Sequence, residues 1–262
     1  MKIASYNVNS IKARLELMSL WLEHRGGDID VLCLQETKTI DQGFPKEALK
    51  ELGFECAILG QKAYNGVAIC SRIPLTDIIY GFGDKSLDLQ KRIISAKIND
   101  INIINIYAPH GGLRGEEKYF YKLKWFEGLL NLLRDNYTQD DKILILGDFN
   151  VASTDKDIYD PIKLFDIPAT MQEERDAFNK LVKLGLTDCF RHLNKDDGMY
   201  SWWSYRDLAI WNNQGMRLDY ILASQSMMPK LVNIAIDIWP RRKKNITPSD
   251  HAPIVAEFIS EK

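Results

Sequence analysis

The sequence predicts an α/β fold in which two packed, mixed β-sheets are flanked by helices. Ten strand-like runs rich in Ile, Val, Leu and Tyr alternate with segments of helical periodicity along the 262 residues. Two of these runs, 92–98 and 101–108, are joined only by Asn99 and Asp100, and so short a link requires antiparallel strands. With about ten strands and enough helices to cover them, two packed sheets are the expected arrangement.

The predicted strands are bounded by turn residues and extend over the whole chain. They lie at 2–8, 29–36, 54–60, 66–71, 92–98, 101–108, 142–148, 218–223, 231–238 and 253–259. No repeat, low-complexity tract or linker rich in Pro, Gly and Ser divides the sequence. We therefore predict a single domain over residues 1–262.

Helical spacing of apolar residues predicts four helices between the strands. They run from Ser10 to Gly26, from Pro45 to Leu52, over 116–134, and from Thr170 to Gly185. Ser10 is expected to cap the first helix. Thr170 and Glu173 have the spacing of a capping box at the start of the fourth.

The composition bounds the partners of the protein. The formal net charge is −2, whereas nucleic-acid-binding domains are usually basic over the binding face. Any contact with DNA must therefore depend on local positive charge and on a metal ion. No apolar run approaches the roughly 20 residues of a membrane helix. The strand-like run at the start leaves no room for a signal or transit peptide, so we expect a cytoplasmic protein.

The four cysteines, Cys33, Cys56, Cys70 and Cys189, form no CxxC pair, and three lie in apolar strand-like runs. This distribution favours buried free thiols in a reducing compartment over a zinc cluster or a disulfide framework.

Polar side chains stand where several predicted strands begin or end. They are Asn7, Glu36, Tyr107, Asp148, Asn150, Asp219, Asp250 and His251. A single carboxylate in such a place is more often a helix cap or turn anchor than a catalytic group, but a collection of eight polar groups is harder to explain structurally. Carboxylate and amide oxygens suit Mg²⁺, which keeps several waters for a phosphate, and Mn²⁺ is a reasonable substitute.

These residues stand in motifs that resemble the signatures of exonuclease III-type abasic endonucleases, within the endonuclease/exonuclease/phosphatase superfamily. The motifs are Asn7-Val8-Asn9, Leu34-Gln35-Glu36-Thr37-Lys38, Gly147-Asp148-Phe149-Asn150, Arg217-Leu218-Asp219-Tyr220 and Ser249-Asp250-His251. Any one of the shorter motifs is weak, but all five occur in the family's order over essentially the whole chain. The resemblance implies a four-layered α/β sandwich with the motif residues meeting at one end of the paired sheets.

The resemblance also implies a metal site. Its ligands would be Asn7, Glu36, Asp148, Asn150, Asp250 and His251. Glu36 would be the principal ligand, and Asp148 would orient or deprotonate the attacking water. These residues are compatible with one metal ion. They are equally compatible with two, the second held by Asp148, Asn150 and His251.

The remaining catalytic roles follow from the same resemblance. Asn150 and Tyr107 would bind phosphate oxygens, Asp219 would hold His251 in one tautomer, and His251 would contact the scissile phosphate. This logic agrees with phosphodiester hydrolysis, which needs a positioned nucleophile and stabilisation of charge on the phosphate oxygens.

Five further residues are predicted to bind substrate. They are Arg92, His110, Arg114, Trp202 and Leu218. Trp202 and its neighbour Trp203 have core packing as the alternative interpretation. The resemblance implies that one of the two, which we expect to be Trp202, lines with Leu218 and Met216 a pocket that selects a flipped-out abasic sugar by its size.

Several basic and imidazole side chains leave two interpretations open. Arg241-Arg242-Lys243-Lys244 is typical of a solvated loop, yet its position before Ser249 is equally compatible with phosphate tracking. Lys12 and Arg14 are further candidates for phosphate contact. His110 is as compatible with contact to DNA as with solvent exposure, and His24 and His192 are expected to be solvated.

The resemblance implies Mg²⁺-dependent hydrolysis of double-stranded DNA in base excision repair by a bacterial-type monomer. The expected activities are cleavage 5′ of abasic sites, 3′→5′ exonuclease action and 3′-phosphatase action. Ser10 and Ser204 depart from the Gly and Asp of many relatives. The alternatives are another phosphodiester substrate, such as RNA, an inositol phosphate or a sphingolipid, and a catalytically silent DNA-binding protein. Long insertions would favour another phosphodiester substrate, and a missing motif residue would favour a catalytically silent protein. Neither feature is seen in the sequence.

Overall fold

The computed structural model describes residues 1–259 and contains fourteen strands and five α-helices within them. The strands are β1 (Lys2–Asn7), β2 (Val31–Gln35), β3 (Glu55–Leu59), β4 (Val67–Ser71), β5 (Thr76–Tyr80), β6 (Ile93–Ile98), β7 (Ile101–Tyr107), β8 (Ile143–Asp148), β9 (Thr187–Asp188), β10 (Trp202–Trp203), β11 (Gly215–Met216), β12 (Asp219–Ala223), β13 (Leu231–Ile236) and β14 (Ile254–Phe258). The helices are α1 (Ile11–His24), α2 (Lys46–Glu51), α3 (Glu117–Asn136), α4 (Gln172–Lys183) and α5 (Cys189–Leu193).

Twelve of the strands form two mixed six-stranded sheets. The first sheet has the order β13-β14-β1-β2-β4-β3, and the second has the order β5-β6-β7-β8-β12-β9. Each contains one parallel pair, β1 with β2 and β7 with β8. The carboxyl ends of the strands in a parallel pair lie at the same edge, so each sheet presents two strand ends side by side.

Apolar side chains fill three layers between and outside the sheets. The central layer joins residues of both sheets, for example Val31 and Ile69 with Leu144 and Ile221. A second layer packs α3 and α4 on the outer face of the second sheet, and a third packs α1 on the first sheet. The predicted four-layered α/β sandwich is confirmed, and its rigid sheets hold the loops at their ends.

All ten predicted strands and all four predicted helices are present, with ends that differ by a few residues. The sequence missed β5, whose five residues are all exposed, so that no buried face produced a periodic signal. It also missed α5, which has five residues, and the two-residue strands β9, β10 and β11, which are too short for periodicity. No helix in residues 1–259 has the length and apolar character needed to cross a membrane.

Two predicted helix caps are wrong. The helix predicted from Thr170 begins at Gln172, and Thr170 Oγ1 instead donates to carbonyl oxygens of the preceding turn. Ser10 does stand before α1, but its side chain makes no capping bond because its backbone has φ 89°. A positive φ of this size is a conformation that glycine adopts more easily than serine.

The prediction of free cysteines holds for Cys33 and Cys189 and is wrong for the other two. Cys56 and Cys70 face each other in the antiparallel pair of β3 and β4 and are disulfide-bonded. The spacing of 14 residues contained no sign of this, because the pairing arises from the register of two strands.

Candidate active site

The two parallel strand pairs bring four predicted site residues to one end of the sandwich. Asn7 ends β1 and Glu36 follows β2, while Tyr107 and Asp148 end β7 and β8 in register with each other. The antiparallel strand β12 begins beside Asp148 at Asp219. The site is therefore assembled from both sheets.

Asn7 connects the carboxylates of the two sheets. Its Nδ2 atom donates to Glu36 Oε1 and to Asp148 Oδ2, both at 2.9 Å. Ligand atoms of Glu36, Asp148 and His251 all lie within 4.8 Å of one another. Two carboxylates and an imidazole at this spacing form a donor set that fits a divalent cation.

Lys38 and Asn9 complete the floor of the site. Lys38 Nζ lies 2.9 Å from Glu36 Oε2 and also donates to Asn9 Oδ1. Asn9 Nδ2 in turn donates to Asp250 Oδ1 at 2.9 Å. Both residues belong to the recognised motifs, but no role was predicted for either of them from the sequence. Asp250, predicted as a ligand, is engaged by Asn9 and lies outside the group of three donors.

The imidazole of His251 is held from one side by Asp219. The Nδ1 to Oδ2 distance is 2.8 Å, and Nε2 lies 3.6 Å from Asp148 Oδ2. The backbone N–H groups of Leu218 and Asp219 donate to Ser201 Oγ, which fixes the start of β12. This arrangement orients His251 with Nε2 toward the site.

Burial and mutual charge shift the pKa values of this cluster. Burial raises the pKa of Asp148 to about 7, helped by the charges of Asp219 and Glu36 and opposed by His251. For His251, burial lowers the pKa, but the charges of Asp219 and Asp148 outweigh it and raise the value to about 10. The two carboxylates on either side thus stabilise a cationic imidazole.

Tyr107 is supported by Arg92. The Arg92 guanidinium lies 4.5 Å from the centre of the Tyr107 ring and donates to Tyr107 O at 3.1 Å. Burial, followed by the charge of Glu36, holds the pKa of Tyr107 well above its ordinary value. The phenol therefore remains a hydrogen-bond donor. Arg92, which was predicted to bind substrate, is only 8% exposed.

Asn150 is fixed by the strand end that carries Asp148. Its backbone N–H donates to Asp148 Oδ1 at 2.9 Å, and its Nδ2 donates to Ala108 O at 3.0 Å. The residue has φ 51°, a conformation that asparagine tolerates better than most residues. Its amide is thus directed into the site by contacts on both sides.

Of the two neighbouring tryptophans, only Trp202 belongs to the site. Its Nε1 donates to Asp250 Oδ2 at 3.0 Å, and its ring packs in a small apolar cluster with Met216 and Leu218. Trp203 is buried in a different cluster. The structure thus brings together the three residues predicted to line a sugar pocket.

Two further residues that were predicted to bind substrate lie at the surface. His110 is exposed and lines a surface cavity of about 520 Å³ together with Arg92, Tyr64 and Lys118. Arg114 lies in an exposed loop, where it pairs with Asp166 and Glu173.

The basic run before Ser249 divides into two parts. Arg241 is buried and donates to the carbonyl oxygens of Trp203 and Ser204. Arg242 and Lys244 are exposed beside the Trp211 ring, and Lys243 lies over the Trp239 ring. His24, expected to be solvated, is exposed and stacks on the Trp239 ring. His192 is exposed as expected.

The chain is similar to known nucleases and phosphatases over almost its whole length. The model of the endonuclease/exonuclease/phosphatase family matches residues 4–251. Exodeoxyribonuclease III of Haemophilus influenzae is 36% identical over 98% of this chain and 100% of its own length. An AP endonuclease from Archaeoglobus fulgidus is 36% identical with a TM-score of 0.93, covering 98% of this chain and 99% of that one. A 3′ phosphatase from Neisseria, bound to a product DNA hairpin, is 38% identical with a TM-score of 0.94 and covers 99% and 100%.

Proposed function

The chain belongs to the endonuclease/exonuclease/phosphatase family, and within it we propose a metal-dependent DNA repair nuclease of the exonuclease III type. The proposed substrates are double-stranded DNA with abasic sites or damaged 3′ ends. It cleaves 5′ of abasic sites, degrades 3′ ends and removes 3′ phosphates. The observation that carries the proposal is the convergence of Glu36, Asp148 and His251 within 4.8 Å at the junction of the two sheets.

Glu36 and Asp148 would hold a divalent cation, with Asn7, Asn150 and Asp250 as neighbouring ligands. His251 would be a ligand only as a neutral imidazole, in place of the cationic role described below. We favour Mg²⁺, with Mn²⁺ as a substitute, because the donor set is dominated by hard oxygen atoms. When bound, the cation supplies Lewis acidity to the phosphate. Asn9 and Trp202 occupy both oxygens of Asp250, which supports a lesser role for this carboxylate.

The other catalytic roles belong to side chains of the protein. Asp148, whose pKa burial raises to about 7, orients the attacking water and takes its proton. Tyr107 donates a hydrogen bond to a phosphate oxygen. Asn150, whose Nδ2 donates to Ala108 O and to Asp148 Oδ2, holds Asp148 in place and would need to exchange one of these contacts to bind the phosphate. His251, kept cationic and oriented by Asp219, contacts the scissile phosphate and stabilises its developing charge.

The apolar cluster beside Asp250 supports recognition of an abasic sugar. Trp202 packs on the buried side chains of Met216 and Leu218 and donates to Asp250, next to the proposed metal site. A sugar pocket opened beside Trp202 would select by size, because a nucleotide that retains its base needs more room than an abasic sugar. His110, Arg114 and the exposed cations of the basic run would contact the phosphate backbone on either side. We further propose a cytoplasmic monomer.

A substrate panel tests the proposal. Purified protein is incubated with duplexes that contain a tetrahydrofuran abasic analogue, a 3′ phosphate, or a blunt or recessed end, each with Mg²⁺ or with EDTA. We expect incision 5′ of the tetrahydrofuran and 3′ dephosphorylation, both abolished by EDTA. Absence of cleavage on every duplex, or cleavage that EDTA leaves unchanged, contradicts the proposal. Hydrolysis of RNA or inositol phosphates in preference to abasic DNA would favour the other phosphodiester substrates.

A further inference from the structure

Helices α3 and α4 are joined behind the active site by a fully buried ion pair. Lys122 of α3 and Glu174 of α4 are each 0% exposed, and Lys122 Nζ lies 2.7 Å from Glu174 Oε1. The catalytic mechanism above uses neither residue. We call this pair the buried clamp.

The ammonium group of the clamp reaches two loops as well as the carboxylate. Lys122 Nζ donates to Asn150 O at 2.7 Å and to His110 O at 3.2 Å. A lysine ammonium has three donors, and all three are used here. Lys122 therefore joins the loop after β7, the loop after β8 and the first turn of α4.

One of these contacts fixes the backbone of a proposed catalytic residue. The carbonyl of Asn150 is held by Lys122, while its N–H donates to Asp148 Oδ1. Both backbone polar groups of Asn150 are thus constrained at a φ of 51°, which few residues adopt without support. The other contact fixes the carbonyl of His110, a residue that lines the surface cavity beside Arg92.

The loop that contains Gly111 passes very close to Lys122 and Glu174. A Cβ atom at Gly111 would lie 3.0 Å from Lys122 Cδ and 3.2 Å from Glu174 Oε1, and this glycine has φ +97°. Only glycine adopts that conformation easily, so the loop can lie directly on the ion pair.

Stability alone does not account for this pair. Burial lowers the pKa of Lys122 and raises that of Glu174, which reflects the cost of removing both charges from water. Well-packed apolar residues often replace a buried ion pair with no loss of stability. An apolar side chain could not, however, hold the two carbonyl oxygens.

We propose that Lys122, held by Glu174, is a positioning residue that couples the DNA-facing loop at His110 to the catalytic loop at Asn150. The clamp keeps Asn150 and Asp148 in their reactive geometry. This inference rests on the proposed function for its kinetic consequence, whereas its consequence for the backbone is independent of any activity.

The test compares Lys122→Met with the double variant Lys122→Met/Glu174→Met, which contains no unpaired buried charge. The matched control is Glu127→Met/Lys180→Met, because that pair joins the same two helices on the exposed surface with an Nζ–Oε2 distance of 3.9 Å. For each protein we would measure the thermal midpoint, kcat and KM on the tetrahydrofuran duplex, and amide hydrogen exchange at Asn150.

In the double variant we expect a thermal midpoint no lower than that of Lys122→Met. We expect kcat to fall by about 10- to 100-fold with KM within about twofold, since small displacements of reacting groups are costly. Exchange at Asn150 should become faster, and the control should match wild type throughout. A double variant with wild-type kcat, with unchanged exchange at Asn150, or unable to fold overturns the inference. If the wild-type protein cleaves none of the duplexes, the proposed function is wrong. Hydrogen exchange at Asn150 then still tests whether the buried clamp fixes the backbone.

Discussion

At the scale of single residues, the site depends on a balance of charge among groups that are almost wholly buried. Asp148 is 1% exposed and Asp219 0%, and their two carboxylates flank the imidazole of His251. Glu36 lies close enough to Asp148 to share the Asn7 amide. Removing the charge of Asp148 or Glu36 relieves the repulsion between these carboxylates, so it should affect turnover far more than folding.

We predict that Asp148→Asn and Glu36→Ala each reduce kcat by about 10²- to 10⁴-fold, because one removes the general base and the other a metal ligand. Thermal stability should stay near that of wild type, since burial already disfavours the Asp148 charge. The measurement is single-turnover cleavage together with thermal unfolding. Asp140→Asn, at the opposite end of β8, is the control. Large loss of folding in both variants would mean that these residues are structural.

A second prediction concerns Asp219. Its carboxylate raises the pKa of His251, so Asp219→Asn should move that pKa downward. It should also lower kcat by about 10²-fold or more, because the orientation and charge of the imidazole are lost. NMR titration of the His251 ring in metal-free protein checks the shift. An unmoved pKa would show that Asp219 does not control His251.

Local patterns in the sequence pointed to the individual residues of the candidate site, but not to the residues that support them. Glu36 and Asp148 follow apolar runs, a signal that lies within a few neighbouring positions. In the sequence, Lys122 is one polar position among several in a predicted helix. Its partner Glu174 is 52 residues away, so no local pattern connects the two. Contacts across such separations depend on how helices pack, which periodicity does not describe.

At the scale of elements, a buried acid ties together the segments that follow β8. Asp157 is 0% exposed and accepts hydrogen bonds from Ser153, Thr154, Arg191 and Arg217. These residues come from the loop after β8, from α5 and from the start of β12. Arg217 belongs to a recognised motif, yet its partner 60 residues earlier had no signal in the sequence.

This acid predicts a pH dependence of stability. Burial opposes ionisation, but the charges of Arg217 and Arg191 outweigh it and lower the pKa of Asp157 from 3.8 to about 2. A carboxyl with a lowered folded-state pKa stabilises the protein fully above about pH 4, and this stabilisation is lost as pH falls toward 2. The shift corresponds to about 2 kcal/mol of unfolding free energy.

Urea unfolding of wild type and Asp157→Asn between pH 7 and pH 2 measures this effect. We expect the variant to be less stable at pH 7, with the difference from wild type shrinking below pH 4. Asp155→Asn is the control, because the Asp155 side chain is 69% exposed. A difference that stays constant across this range would contradict the assignment to Asp157.

At the scale of the whole molecule, the site exists only when both sheets are packed together. Asn7 and Glu36 come from the first sheet, and Tyr107 and Asp148 from the second. The central apolar layer contains residues of both, such as Ile3 and Leu144. The fold class was predictable because each strand carries its own pattern. The closeness of Glu36 to Asp148 followed only from the family resemblance and not from the strand patterns, because it depends on how the sheets face each other.

The shared layer predicts that the chain unfolds as one cooperative unit. Amides of β2 and β8 should exchange hydrogen with the same opening free energy, because separating the sheets exposes the layer that stabilises both. In urea, loss of cleavage activity and loss of the folded-state tryptophan fluorescence should share one midpoint. Native-state hydrogen exchange and parallel urea titrations provide the measurements. Opening of one sheet at a lower free energy than the other would divide residues 1–259 into two units, and the site between them would then be lost before the fold.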